Sequence, residues 1–210
     1  MEINPEIFKA YDIRGVYHKD FNDEFAYKLG LAYSQMRREE LKSGGDMNIV
    51  VGADMRLSSP ALKDKLVSGL TDGGANVIDI GLSPTPTFYF AVARFNYDGG
   101  VMVSASHNPA KYNGFKLTRA KALPMSGKTG IFNLRKIILA GELKKSKIKG
   151  AVTVKKDALK KQVERSLPYA NLKNIKHFKI VIDPANAMGS LYFDELFKYV
   201  PGEIIKINWK

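Results

Sequence analysis

Cysteine is absent from this chain of 210 residues, and tryptophan occurs only once. Without cysteine the protein can form neither disulfide bonds nor thiolate metal sites, which excludes a disulfide-stabilised secreted scaffold and fits a reducing compartment. Histidine occurs three times, and neither His18 nor His177 has a partner at metal-ligand spacing. The sequence alone therefore indicates no metal site built from Cys or His.

Long apolar runs are also lacking. No segment approaches the roughly 20 apolar residues of a membrane-spanning helix, and the opening, MEINPEIFKAYDIRG, has neither the basic nor the apolar region of a secretion signal. We therefore expect a soluble, cytoplasmic protein with no membrane partner. Apolar residues still form 45% of the chain, enough for the buried core of a globular domain.

Acidic residues are outnumbered, because 33 Lys and Arg against 21 Asp and Glu give a net charge of +12. This charge favours anionic partners such as phosphorylated metabolites, nucleic acid or a membrane surface. Lysines are densest at residues 144–161, where no aromatic side chain is available for base stacking. We interpret this stretch as a solvated linker and expect no nucleic-acid partner.

Segments with strand and helix patterns alternate through the first 150 residues. This alternation predicts an α/β fold, a three-layer α/β/α domain with a mixed sheet covered on both faces. The predicted helices lie at 22–36, 58–72, 85–95 and 131–140, and the predicted strands at 48–52, 76–80, 99–104 and 115–117.

We place a domain boundary near Gly150, which gives a first domain of residues 1–150 and a second unit of residues 151–210. The second unit contains a predicted helix, strand, helix and strand. About 60 residues with open strand edges are not usually stable alone. We therefore expect part of a second, similar α/β domain that belongs to a longer protein.

The segment VMVSASHNPAKYNGFKL, residues 101–117, ends a buried strand with residues that cannot extend it. Ligands of α/β sheets gather where loops leave strand ends, so Ser106 lies where a nucleophile would be accessible. The Asn-Gly pair at 113–114 predicts a turn that brings Lys116 back toward this hydroxyl, where neighbouring cations could make Lys116 a base. His107 could donate a hydrogen bond to the same anion. The residues alone leave a simple polar turn open.

A second set of residues lies near the N-terminus, in FKAYDIRGVY. Arg14 precedes Gly15, where the backbone can turn sharply and let the planar guanidinium face a phosphate, and Tyr11 offers a hydroxyl nearby. An isolated Arg-Gly pair identifies nothing by itself.

Four ordered motifs resemble the α-D-phosphohexomutases: FKAYDIRG, GADMRLSS at 52–59, GLSPTPTFYFA at 81–91 and SASHNPAKYNGFK at 104–116. In order and spacing they are similar to the first domain of that four-domain family, and the Tyr-Asp-Ile-Arg-Gly opening resembles its phosphomannomutase/phosphoglucomutase branch. KIVIDPANAMGS, residues 179–190, is similar to the start of the family's second domain.

The resemblance implies an isomerase that interconverts hexose 1-phosphate and hexose 6-phosphate, of mannose, glucose or both, through a hexose 1,6-bisphosphate intermediate. It implies that Ser106 is the phosphoserine that donates and recovers the phosphoryl group, with Lys116 as its general base. It also implies a Mg²⁺ ion bound through the phosphate of Ser106. The resemblance places four further residues around the phosphate and the substrate: Tyr11, Arg14, His107 and Asn108.

Several departures from the family accompany these matches. Ala53 stands where the family usually has arginine, Ser104 replaces a threonine and Ala187 replaces a glycine. The family's magnesium-binding Asp-Gly-Asp loop has no counterpart here, and the scattered aspartates, Asp12 among them, are interpreted as structural. We expect the 210 residues alone to have little or no mutase activity and a C-terminal half to complete the site. A non-catalytic or split-subunit anion-binding module is the alternative.

A second phosphate motif is incomplete. ALPMSGKT, residues 122–129, lacks the first glycine of the nucleotide-binding loop G-x-x-x-x-G-K-T, and a polar segment precedes it. We expect no nucleotide site there.

Overall fold

The computed structural model describes residues 3–42 and 45–209. The strands of this part of the chain are β1 (Ile13–Val16), β2 (Asn48–Ala53), β3 (Asn76–Leu82), β4 (Gly99–Val103), β5 (Tyr112–Arg119), β6 (Val152–Val154), β7 (Phe178–Ile182) and β8 (Gly202–Lys206). Its α-helices are α1 (Asp23–Leu41), α2 (Ser59–Asp72), α3 (Thr85–Arg94), α4 (Phe132–Ala140), α5 (Ala158–Ser166) and α6 (Gly189–Leu196).

Six of the strands form one mixed sheet in the order β1-β5-β4-β2-β3-β6. The pairs β2–β3, β2–β4 and β3–β6 are parallel, whereas β5 runs antiparallel to both β4 and β1. Because the central strands β2 and β4 are covered on both faces, their residues are apolar almost throughout and nearly all buried.

Helices cover the sheet on two sides. Alternate residues of β2 enter different cores: Ile49 and Val51 join the cluster formed with α1, α2 and α4, and Val50 joins the cluster formed with α3 and α5. The predicted three-layer α/β/α architecture with a mixed sheet is thereby confirmed.

Helix ends agree with their sequence signals. The Asn22 side chain accepts a hydrogen bond from the backbone N–H of Phe25 and caps α1, while Gly73 terminates α2. Ser58, by contrast, makes no side-chain capping bond at the start of α2. These caps fix where the chain enters and leaves the layer that supports the sheet.

The predicted turn at Asn113 and Gly114 is wrong, because both residues lie inside β5. The buried Asn113 amide donates to the hydroxyls of Ser58 and Ser59. A Cβ on Gly114 would lie 2.2 Å from the carbonyl oxygen of Ile13, so the close approach of β1 requires glycine. The Asn-Gly pair therefore reflects packing, and the chain reverses earlier, at residues 106–111.

The first sheet extends beyond the boundary predicted near Gly150. Strand β6 pairs with β3, and α5 packs on α3 with Ala158 and Val163 buried. The preceding lysine-rich segment is also attached to the fold, because Lys145 and Lys149 lie 3.4 and 2.9 Å from the Asp72 carboxylate. The first α/β/α unit thus extends to the end of α5. The predicted domain of residues 1–150 omits β6 and α5.

The remaining strands, β7 and β8, form a separate two-stranded parallel sheet with α6 between them in the chain. Many of its apolar residues are exposed, including Val181 at 57%. Across the described residues, no helix combines the length and apolarity required to span a membrane.

Candidate active site

The candidate site lies where β4 ends and the chain leaves the sheet at Ser104. The β1–β5 register sets Arg14 opposite Gly114, and the Ser104 N–H donates to the Gly114 carbonyl at 2.9 Å. Arg14 on β1, Gly114 on β5 and Ser104, just beyond the end of β4, therefore form one row. Ser106 follows two residues beyond the end of this row.

A small charge cluster occupies the β1–β5 side of this row. The Asp12 carboxylate accepts a hydrogen bond from Arg14, and the Lys116 Nζ lies 3.5 Å from the same carboxylate oxygen. Asp12 is buried, whereas Arg14 and Lys116 remain partly exposed. The Nε of Arg14 is buried and has no hydrogen-bond partner among the described residues.

The serine loop holds Ser106 in the left-handed backbone region, with φ of 56°. A residue with a side chain is disfavoured there by roughly 1–2 kcal/mol. The Ser106 N–H donates to the Ser104 hydroxyl at 3.0 Å, and Oγ of the exposed Ser106 lies 3.3 Å from Nδ1 of His107. Ser104 thus supplies a hydroxyl that supports the loop.

Arg56 binds the backbone of this loop, a role that sequence reasoning missed. Its Nε donates to Asp54 at 3.2 Å. Its two Nη atoms donate to four loop carbonyls at 2.6–3.0 Å, those of Ser106, Asn108, Pro109 and Tyr112. The motif GADMRLSS contains Arg56, but nothing in that motif indicates backbone carbonyls as its partners.

The other predicted residues have different surroundings. Tyr11 is 80% exposed and makes no hydrogen bond within the described part of the chain. The Asn108 amide donates to the Ala105 carbonyl at 2.9 Å and so braces the loop from inside. The structure thus joins Arg14 with Lys116, through Asp12, and Ser106 with His107.

Helix α3 also contributes to this region. Burial and the charge of the nearby Asp12 carboxylate raise the pKa of Tyr89. Tyr89 lies within the motif GLSPTPTFYFA, and it therefore stays protonated as a neutral neighbour of the charge cluster.

A magnesium ion would need oxygen ligands close together. Among the described residues, no group of three or more His, Asp or Glu side chains is arranged to hold a metal. Asp12 and Asp54 are instead ion-paired with Arg14 and Arg56. The side chains present here do not form a magnesium site, and the predicted ion stays a prediction.

Two backbone amides of the incomplete nucleotide motif at 122–129 form hydrogen bonds within the protein. The Gly127 N–H donates to the Ala10 carbonyl at 2.7 Å, and the Thr129 N–H donates to the Ser126 hydroxyl at 3.3 Å. These two amides are therefore already engaged within the chain.

Comparison with known proteins identifies the family of the chain. The family model described as phosphoglucomutase/phosphomannomutase, alpha/beta/alpha domain I, matches residues 5–145. A phosphomannomutase of Vibrio cholerae is 40% identical over 206 residues, and one of Escherichia coli is 38% identical over 208 residues. Each alignment covers 96% of this chain but only 44% of the relative, so the chain spans less than half of their length.

A solved structure supports the same assignment. The phosphoglucomutase/phosphomannomutase family protein from Burkholderia thailandensis superposes with a TM-score of 0.86 and 31% identity, over 100% of this chain and 45% of that one. The putative phosphomannomutase from Thermus thermophilus shares the fold, with a TM-score of 0.79 and 24% identity over 94% of this chain and 45% of its own. On the family match and the shared fold, this chain belongs to the phosphoglucomutase/phosphomannomutase family and contains its α/β/α domain I.

Proposed function

We propose that this chain is the phosphoserine-bearing part of a phosphohexomutase that interconverts hexose 1-phosphate and hexose 6-phosphate of mannose, glucose or both. The observation that carries the proposal is the exposed Ser106, held in a left-handed conformation beside His107 at a strand end. Family membership and the name phosphomannomutase of its relatives support this choice of chemistry.

In this proposal the phosphoryl group moves twice. A sugar hydroxyl attacks the phosphorus on Ser106, the bond from phosphorus to Oγ breaks, and a hexose 1,6-bisphosphate forms. The bisphosphate turns over, and Ser106 attacks its other phosphate and recovers a phosphoryl group. In the first transfer Lys116, the general base, relays the proton of the attacking sugar hydroxyl to the leaving Oγ, and in the second it relays the proton of the Ser106 hydroxyl to the sugar oxygen that leaves. The net result is isomerisation.

The cations around the loop suit this reaction. Phosphoryl transfer depends mainly on positioning and on neutralising charge on the phosphoryl oxygens. The side chains of Arg14 and Lys116 are both partly exposed, and they share one carboxylate partner, Asp12. We assign Arg14 and His107 to the transferring phosphate, and Tyr11 and Asn108 to the phosphate and substrate surroundings. A Mg²⁺ ion on the serine phosphate would neutralise further charge.

The proposal includes a second half of the enzyme. Because the chain spans 44% of its curated relatives, we assign sugar recognition and carboxylate ligands for Mg²⁺ to the part of the relatives that it does not match. We therefore expect little or no mutase activity from these 210 residues alone, and we expect a C-terminal half to complete the site.

Intact-mass spectrometry tests the nucleophile. A fraction of the purified chain should carry one phosphate, and Ser106→Ala should remove it, whereas Ser68→Ala, a change at an exposed helix residue, should retain it. Phosphate at another residue would contradict the assignment of Ser106. Mixing with the C-terminal half of a relative should restore conversion of glucose 1-phosphate to glucose 6-phosphate, and failure would count against a complementing half.

A further inference from the structure

We propose that Arg56 is the positioning residue that sets the geometry of the Ser106 loop for phosphoryl transfer without touching the phosphate. This inference rests on the proposed function of Ser106. The inference starts from one observation: the guanidinium of Arg56 binds four backbone carbonyls. Its Nη1 donates to the carbonyls of Pro109 and Tyr112, and its Nη2 donates to those of Ser106 and Asn108.

The guanidinium of Arg56 is saturated. An arginine side chain carries five N–H groups, and the Nε of Arg56 donates to Asp54 while the Nη atoms serve the four carbonyls. The side chain is only 12% exposed. No donor remains for a phosphate, in contrast to Arg14, whose side chain is 27% exposed and bonds to the single carboxylate of Asp12.

Arg56 is itself held in place by the ends of three elements. Asp54 follows β2, accepts from the backbone N–H and the Nε of Arg56, and accepts from the Ser59 hydroxyl at 2.6 Å. The Ser59 hydroxyl in turn accepts from the Asn113 amide of β5. Through Arg56, the loop is therefore connected by hydrogen bonds to the end of β2, the start of α2 and β5.

This arrangement controls how the peptide at Ser106 is oriented. The described chain has no cis peptide bond, so the N–H of His107 points to the side opposite the Ser106 carbonyl that Arg56 binds. Fixing this carbonyl thus fixes the peptide plane next to the nucleophile and helps to hold Ser106 in its left-handed conformation. A lysine cannot replace the planar fork, because its three donors radiate from one atom.

Three variants of the full 210-residue chain test the proposal: Arg56→Lys, Arg56→Ala and the matched control Arg119→Lys. Arg119 pairs with Glu40 through Nε and Nη2 at the end of β5, away from the serine loop. Hydrogen exchange of the loop amides is the first measurement. We expect Arg56→Lys to accelerate exchange of the Asn108 and Tyr112 amides about tenfold, because loop opening no longer breaks the bonds to the fork.

Exchange in β4 should stay unchanged in Arg56→Lys, and Arg119→Lys should leave the loop amides unchanged. Loop exchange that does not rise in Arg56→Lys overturns the proposal, and so does an equal rise throughout the core, which would indicate a general structural role. Because Arg56→Lys keeps the charge and most of the side-chain volume, it provides this answer even where Arg56→Ala does not fold.

The second measurement is phosphorylation of Ser106 after addition of a hexose 1,6-bisphosphate to the chain mixed with the C-terminal half of a relative. We expect at least about a tenfold slower rate in Arg56→Ala, with recovery when free guanidinium ion fills the vacated position, and no guanidinium effect on Arg119→Lys. Guanidinium that restores neither loop protection nor rate overturns the positioning role. A wild-type chain that accepts no phosphate at Ser106 even in this mixture refutes the proposed function instead, and the exchange result then decides the role of Arg56.

Discussion

The ammonium nitrogen of Lys116 lies 3.5 Å from a carboxylate oxygen of Asp12, and the same oxygen accepts a hydrogen bond from Arg14. One buried carboxylate thus serves two cations that we assign to a phosphate site. A bound phosphate would compete with Asp12 for these cations, so the carboxylate limits how tightly the site holds an anion.

Asp12→Asn should therefore increase the affinity for inorganic phosphate several-fold and lower the stability of the chain. The loss of stability should be roughly 1–3 kcal/mol, because partly buried donors lose their charged partner. Thermal unfolding measured over a series of phosphate concentrations reports both effects, since an anion that binds the folded state raises the midpoint.

Asp20→Asn is the control for this experiment, because it removes one negative charge nearby while Asp20 bonds to the Val16 backbone and to Asn4 instead of to the two cations. Equal phosphate dependence in Asp12→Asn and Asp20→Asn would mean that net charge alone determines anion binding.

Gly114→Ala should destabilise the protein strongly. The added Cβ would lie 2.2 Å from the Ile13 carbonyl oxygen, so β1 must move away from β5. We expect a loss of at least about 3 kcal/mol in the free energy of unfolding, as for severe overpacking. Gly189→Ala is the matched control, since its Cβ would have an ordinary contact of 3.4 Å with Pro184. Equal urea midpoints for the two variants would refute the close approach of β1 and β5.

The elements with strong burial patterns could be predicted from sequence. Strands β2 and β4 are apolar runs because helices cover both of their faces. Strand β6 has only three residues, all exposed, and β1 has four residues including a glycine, so neither shows a usable pattern. Their places depend on pairing with distant strands, which local sequence does not encode.

The candidate site likewise contains residues that the sequence predicted and residues whose roles it could not predict. Ser106, Arg14 and Lys116 lie in motifs that resemble a known family, and their side chains carry the expected chemistry. The role of Arg56 could not be predicted, because its partners are backbone carbonyls about 50 residues away and any residue type supplies a carbonyl. The sequence indicates only a structural role for Asp12, and its contact with Lys116, 104 residues away, becomes visible only in the structure.

The length of the first folded unit leads to another prediction. A protein shortened to residues 1–150 would lose β6, which pairs with β3, and α5, whose Ala158 and Val163 are buried. We expect it to be less stable than a protein of residues 1–170 by at least about 2 kcal/mol, from the lost apolar burial. Urea unfolding of the two proteins measures the difference. Equal stability would support a boundary near Gly150 after all.

The attachment of the lysine-rich segment predicts a dependence of stability on pH. Hydrogen bonds from Lys149 and Tyr27 lower the pKa of Asp72 from 3.8 to about 2. Because the folded-state pKa is the lower one, the ionised carboxylate stabilises the fold above the unfolded-state pKa, and this contribution is lost as the pH falls toward about 2. Lys145 and Lys149, the two lysines paired with Asp72, are largely exposed. Their ion pairs with Asp72 should therefore contribute about 1 kcal/mol or less to stability.

Asp72→Asn should therefore lower the free energy of unfolding by a constant amount between pH 7 and about pH 5, and the difference from the wild type should shrink below about pH 4. Asp64→Asn is the control, because Asp64 is exposed on the same helix and forms no ion pair within the described residues. Urea unfolding across this pH range measures both variants. A difference that persists undiminished at the lowest pH would show that the Asp72 carboxylate stabilises the fold through something other than its charge.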